Sequence, residues 1–198
     1  FYATNIDKLG HLVAWNTIAK NLIPFFRWIG WSEEKARWAA LGAAFTFHLN
    51  TEGHEGLAPY FGFDLGDMGM GTVGAGWNVA QYYVPFLNRI NFKWSGWPRK
   101  PSYDDPDVNN FLTYVNANYN AQKFWVVYKL KDPLGIGLPL GIALGANYSS
   151  AIQRVGHRQY LISFHVDFLD LVPEDKKDDI LGKIARVLDN FNLKFPFP

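Results

Sequence analysis

The hydrophobic pattern of this 198-residue chain changes period at Pro85. Before it, apolar residues recur at helical spacing; after it, aromatic and β-branched residues alternate in short runs. A period of 3.6 followed by a period of 2 confines the chain to helices followed by strands, an α+β class. Thr4-Asn5-Ile6-Asp7 has the form of a capping box, and Ile6, Leu9, Val13, Ile18 and Leu22 predict a helix that Pro24 and Gly30 break or kink. Ser32-Glu33-Glu34 opens a second helix from Lys35 to about Asn50. Residues 36–49 are apolar nearly all round, which predicts burial on most sides. The segment falls short of the roughly 20 residues that cross a bilayer, so a central core helix or a re-entrant segment is expected. Gly62, Gly66, Gly69, Gly71, Gly74 and Gly76 crowd a third helix, from Leu65 to Tyr83, and their spacing favours close approach to neighbours.

Beyond Pro85, strands are expected at 91–97, 111–119, 122–130, 138–148 and 157–169. The last places Tyr160, Ile162, Phe164, Val166 and Phe168 on one face and Gln159, Leu161, Ser163, His165 and Asp167 on the other. Residues 100–110 read as a linker, a charged turn at 173–179 opens an amphipathic helix carrying Ile180, Leu181, Ile184, Val187, Leu188 and Phe191, and the Pro-aromatic ending at 193–198 reads as an extended tail. The length suits one domain, 1–198, organised as a helical half (1–88), a strand-rich half (89–172) and a C-terminal helix with its tail (173–198).

Aromatic side chains make up 17% of the chain, nearly matching the 19% that are charged, and include eight tryptophans. That is more amphipathic ring than a small core consumes, so part of it is expected to face a membrane or a partner. A net charge of +1 gives no field to hold a polyphosphate, which argues against nucleic acid. Zero cysteines exclude disulfides, thiolate catalysis and cysteine zinc sites. No secretory leader is visible, and an opening at Phe1 without a starting Met reads as a processed or trimmed chain.

The polar residues of the helical half fall on single faces. Asp7 and His11 stand at i and i+4, as do His48 and Glu52, while Asp64 and Asp67 stand at i and i+3. Should the three helices pack together, these faces would give carboxylates and imidazoles in a low-dielectric pocket suited to acid and base work. Asp7, His11, Glu52 and Asp67 are the catalytic candidates, with Lys8, His48, Glu55 and Asp64 as binding candidates. Each also has a structural reading, as a cap or a member of a buried polar network. No metal ligand set and no cofactor is expected: His54-Glu55 lacks the second histidine of a zinc-protease helix, and paired Glu-x-x-His motifs are absent. No nucleophile elbow and no phosphate-binding glycine loop appears.

Asp7-Lys8-Leu9-Gly10-His11, then Glu52, then Phe61-Gly62-Phe63-Asp64-Leu65-Gly66-Asp67 with Gly74-Ala75, resembles the YfiM-like family of predicted periplasmic lipoproteins, and VanZ-like membrane proteins show a looser version. Residues 119–125, 141–148, 158–167 and 193–198 are similar to the Bacteroidetes-type version, so the resemblance spans most of the chain. Asp64, Gly71 and Glu55 depart from the family's Ser, Asn and Asp. The resemblance implies a cell-envelope location on the periplasmic side of the outer membrane or embedded in it, and singles out Asp7, Lys8, His11, Glu52 and Asp67; it implies no reaction.

The expected function is therefore that of a membrane-associated bacterial envelope protein with a structural or binding role, part of an outer-membrane-linked assembly. Its expected partners are a lipid surface and other envelope subunits, with no nucleic acid. The alternative is a hydrolase or transferase acting on lipid or glycan head groups through the Asp/His/Glu/Asp cluster, which requires Glu52 and Asp67 beside His11.

Overall fold

A computed structural model describes residues 5–57, 62–96, 122–130, 139–149 and 157–191. The strand expected at 111–119, the linker at 100–110, the tail at 193–198 and Thr4 of the capping box lie outside the described residues. The protein is α+β; among the described residues it has three long helices, a four-stranded antiparallel sheet and a C-terminal helix. The chain divides into two compact units, residues 7–88 and residues 1–6 with 89–198.

In the helical unit, α1 (Ile6–Trp28) runs through Pro24 instead of stopping there. A proline so close to the end removes one backbone donor and leaves little helix beyond it to bend. The stop comes at Gly30, whose φ of +94° suits a residue without Cβ. Gly30 N–H donates to the Arg27 carbonyl and Trp31 N–H to the Phe26 carbonyl, while the Trp31 ring stacks on Phe26 at 5.2 Å. This is a Schellman ending with its hydrophobic contact.

Helix α2 (Glu33–Leu57) starts as expected, with Lys35 N–H donating to Ser32 Oγ at 3.4 Å, and continues two turns past Asn50. Its buried residues are Ala36, Ala40, Ala44, His48 and Glu52, one stripe at every fourth position. The expectation of burial on most sides is corrected here: Trp38, Phe45, Phe47 and Leu49 are exposed, because full burial on α2 is confined to the one stripe. Among the described residues no helix is long and apolar enough to cross a membrane.

Helix α3 (Leu65–Tyr83) has the expected bounds, and the Asp64 side chain caps it by accepting from Gly66 N–H at 2.6 Å. Its glycines divide into two kinds. A Cβ at Gly74 would lie 2.1 Å from the Leu12 carbonyl oxygen, and one at Gly71 would lie 2.1 Å from His48 Cε1 and 2.6 Å from the Trp15 ring. Gly69 and Gly76 face open space. The first pair lets α3 meet α1 backbone to backbone, where buried Asn16 donates to the Gly74 carbonyl and Asn78 donates back to the Asn16 carbonyl. Trp15, Ala19 and Ile23 of α1, the alanines of α2 and Ala75 of α3 form the shared core.

The sheet is a meander, β1 (Ile90–Gly96), β2 (Gln122–Lys129), β3 (Leu140–Ser149) and β4 (His157–Val166), in that order across the sheet. Its register aligns Lys93, Trp125, Gly145 and Leu161 on one face and Val126, Leu144 and Ile162 on the other. The first face is the buried one. Trp125 lies over Gly145, where a Cβ would fall 2.4 Å from the ring, and donates through Nε1 to Ser95 Oγ at 2.7 Å. The second face carries Val126, Ile142, Leu144, Tyr160, Ile162 and Phe164, all exposed, up to 81% at Ile162. Helix α4 (Ile180–Leu188) repeats this exposure: it buries Gly182 and Ala185 and exposes Ile180, Leu181, Ile184 and Val187.

Gly74→Ala is expected to lower stability by at least about 1–3 kcal/mol, because backbone cannot yield to the new methyl group. Gly76→Ala, in open space, is expected to be neutral or to raise stability by up to about 1 kcal/mol through its better helix propensity. Urea denaturation followed by far-UV circular dichroism checks both; equal midpoints for the two variants would contradict the close approach.

Candidate functional site

The stripe of α2 carries the site. After three alanines it turns polar at His48 and Glu52, at the depth where Gly71 of α3 leaves room for an imidazole. The His48 ring is held on its other side by Trp15, stacked at 4.5 Å, and it is 1% exposed. From α1, His11 brings Nδ1 to 3.1 Å from His48 Nε2 and 3.6 Å from Glu52 Oε1, and His48 Nε2 stands 3.4 Å from Glu52 Oε1. Glu52 is fully buried; one carboxylate oxygen accepts from Asp64 N–H at 3.4 Å, and Oε1 has no hydrogen-bond donor.

A second layer is ionic. Lys8 Nζ lies 2.6 Å from Asp64 Oδ2, 2.8 Å from Asp67 Oδ1 and 3.3 Å from Asp7 Oδ2. Asp67 Oδ1 is also 3.7 Å from His11 Nε2, so this carboxylate stands between the ammonium and the outer edge of the imidazole. Asp7 does not pair with His11 as its i, i+4 spacing suggested; it pairs with Lys8, and His11 turns toward Glu52 and Asp67. The structure thus unites Asp7, Lys8, His11, His48, Glu52, Asp64 and Asp67 in one cluster, with half-buried Glu55 near enough for His11 and Asp67 to act on its charge.

Burial sets the proton affinities of the inner layer. It pushes the Glu52 carboxyl up to about 7 and the His48 imidazole down to about 4, the latter with help from neighbouring His11. Burial likewise raises the Glu55 carboxyl. For Lys8 burial works the other way, but hydrogen bonds to Asp64 and Asp67 outweigh it and hold the ammonium above its usual range. Burial thus disfavours the charged forms of Glu52 and His48. Among the site residues, His11 and Lys8 retain partial exposure, with 18% and 19% of their side chains accessible.

Sequence reasoning rejected a metal site because no linear spacing matched a recipe. The structure brings His11, His48 and Glu52 together from two helices, with all three donor atoms within 4.8 Å of one another. The His48/Glu52 spacing gave half of that signal; the other half needed the packing of α1 on α2.

A second buried polar cluster, in the strand unit, was missed. Asp167, next to the end of β4, pairs with Lys129 of β2; Asp189 lies 3.8 Å from Lys93 of β1 and accepts from Phe168 N–H at 2.7 Å; His165 completes the group. Burial disfavours the Asp167 carboxylate, but bonding with Asp189 and the Lys129 charge outweigh it and hold the carboxyl well below the usual range. With two lysines supplying the positive charge, this cluster is an internal ion-pair network. Its available signal was the inward phase of His165 and Asp167 on β4.

No family model matches the chain, and neither a curated protein nor a solved structure is found to match it.

Proposed function

We propose that this chain is a membrane-associated protein of the bacterial envelope, in which the strand unit presents apolar side chains to lipid. The observation that carries this reading is the exposed apolar outer face of the sheet. In a water-soluble antiparallel sheet the apolar face is inward and the polar face outward. Here the inward face holds Trp125, Val127 and Ala143 with Lys93, Asn147 and His165 buried among them, and the outward face nevertheless holds Leu144, Tyr160, Ile162 and Phe164, all exposed. An outward row of apolar side chains is a feature of strands in contact with lipid, and the ten residues of β3 and of β4 match the length of a bilayer-spanning strand. Helix α4 adds an outward apolar strip beside Lys183 and Arg186, the arrangement of an interfacial helix. The resemblance to predicted periplasmic lipoproteins points the same way, with outer-membrane partners as its natural setting.

Purified chain is expected to float with phospholipid vesicles in a density gradient. A Leu144→Glu/Ile162→Glu double variant with unchanged circular dichroism is expected to lose at least about tenfold in the floated fraction, since a charge at bilayer depth costs about 2–4 kcal/mol. Wild-type protein that stays monomeric and at the bottom of the gradient without detergent contradicts the proposal.

The cluster supports a second reading, a hydrolase or transferase acting on lipid or glycan head groups. What favours it is the meeting of Glu52 and Asp67 with His11, at 3.6 and 3.7 Å, around the most accessible imidazole of the site. His11 would move the proton, and Asp67 would orient its ring. On this reading, turnover in a panel of head-group esters and glycosides falls about 10²–10⁴-fold in His11→Ala; turnover untouched by that substitution contradicts it.

A further inference from the structure

We infer that His11 Nδ1, His48 Nε2 and Glu52 Oε1 are three ligands of a divalent transition-metal ion of the zinc type, bound inside the helical unit. The three donor atoms form a triangle with sides of 3.1, 3.4 and 3.6 Å. Donors about 2.0–2.1 Å from a tetrahedral zinc ion stand about 3.3–3.4 Å from one another, so the sides are those of one coordination face. Two imidazoles and one carboxylate are also a ligand set that catalytic zinc sites use, with a fourth position left for water or substrate.

Three further observations fit the same occupant. Glu52 Oε1 is fully buried with no hydrogen-bond donor, a costly state for a carboxylate oxygen that a cation relieves. His48 is fixed between Trp15 and the space over Gly71, so its Nε2 is aimed by packing on both sides. Asp67 Oδ1 lies 3.7 Å from His11 Nε2, the ring nitrogen facing away from the triangle, where a small rotation makes the carboxylate-imidazole-metal relay typical of zinc ligands. Charge agrees: among the described residues, Asp7, Glu52, Glu55, Asp64 and Asp67 share this neighbourhood with one ammonium, Lys8. Lys8 is engaged by the outer carboxylates, which leaves the inner triangle to another cation. The strand-unit group of His165, Asp167 and Asp189 does not compete for this assignment, because Lys129 and Lys93 already supply its charge.

This inference is independent of the membrane reading, since flotation and metal binding are separate measurements. The whole chain, stripped with chelator, is titrated with zinc by calorimetry and checked by elemental analysis after dialysis; cobalt is substituted to read its visible absorption. One zinc per chain and a tetrahedral cobalt spectrum are expected. His11→Ala and Glu52→Gln are expected to weaken zinc on the order of a hundredfold or more, and Asp67→Asn about tenfold, with circular dichroism unchanged. His54→Ala, an exposed imidazole on the same helix, and His165→Gln serve as controls and are expected to leave affinity as it was. The inference is overturned if the chain takes up no zinc, if binding is the same in His11→Ala and Glu52→Gln as in the parent, or if it is lost in His54→Ala or His165→Gln instead. Should Glu52→Gln fail to fold, the partly exposed position of His11 keeps His11→Ala decisive.

Discussion

Everything in the helical unit depends on how closely α3 approaches its neighbours. At Gly74 the α3 backbone rests against the Leu12 carbonyl, and at Gly71 it rests against the His48 ring. Any side chain at either place would hold the helices apart by the thickness of a methyl group, and the polar residues beneath would no longer meet. The alanines of α2 serve the same end, since small residues every fourth position let α1 and α3 close on that stripe. Tight packing therefore comes first, and the cluster of imidazoles and carboxylates is its consequence.

The cluster was legible in pieces. Asp7 and His11, His48 and Glu52, and Asp64 and Asp67 could each be read as one face of one helix, because i, i+4 and i, i+3 spacing is a property of a single helix. Which faces meet is a tertiary fact. It reassigned Asp7 to Lys8 and turned His11 toward Glu52, and it converted spacings that matched no linear metal motif into a three-donor triangle. Helix α3 was legible to its ends because Asp64 caps it and Val84-Pro85 stops it. The end of α1 was legible as one of two breakers: the helix runs through Pro24 and stops at Gly30, where Trp31 stacks on Phe26.

The strands show a different limit. Alternation along β4 was plain, but alternation does not say which face is inward. Soluble precedent places Tyr160, Ile162 and Phe164 inside; the structure places them outside and buries Lys93, His165 and Asp167. A buried ionic network on the sheet's inner face is expensive unless its charges are paired, and Lys129 with Asp167 supplies that pairing. Exposed apolar surfaces on both the sheet and α4 in the same unit are what the proposed lipid contact accounts for, and burial on α2 follows the same tendency: alanines inside, Trp38, Phe45 and Phe47 outside. On this view the aromatic excess of the composition is a surface property.

Helix packing alone brings three donor atoms from α1 and α2 to one point. A crystal structure of the chain grown with zinc, with anomalous data collected on both sides of the zinc edge, shows whether a metal ion sits there. A single anomalous peak is expected about 2.0–2.1 Å from His11 Nδ1, His48 Nε2 and Glu52 Oε1. A structure in which those atoms point apart, or in which the only peaks lie on exposed histidines, would contradict it.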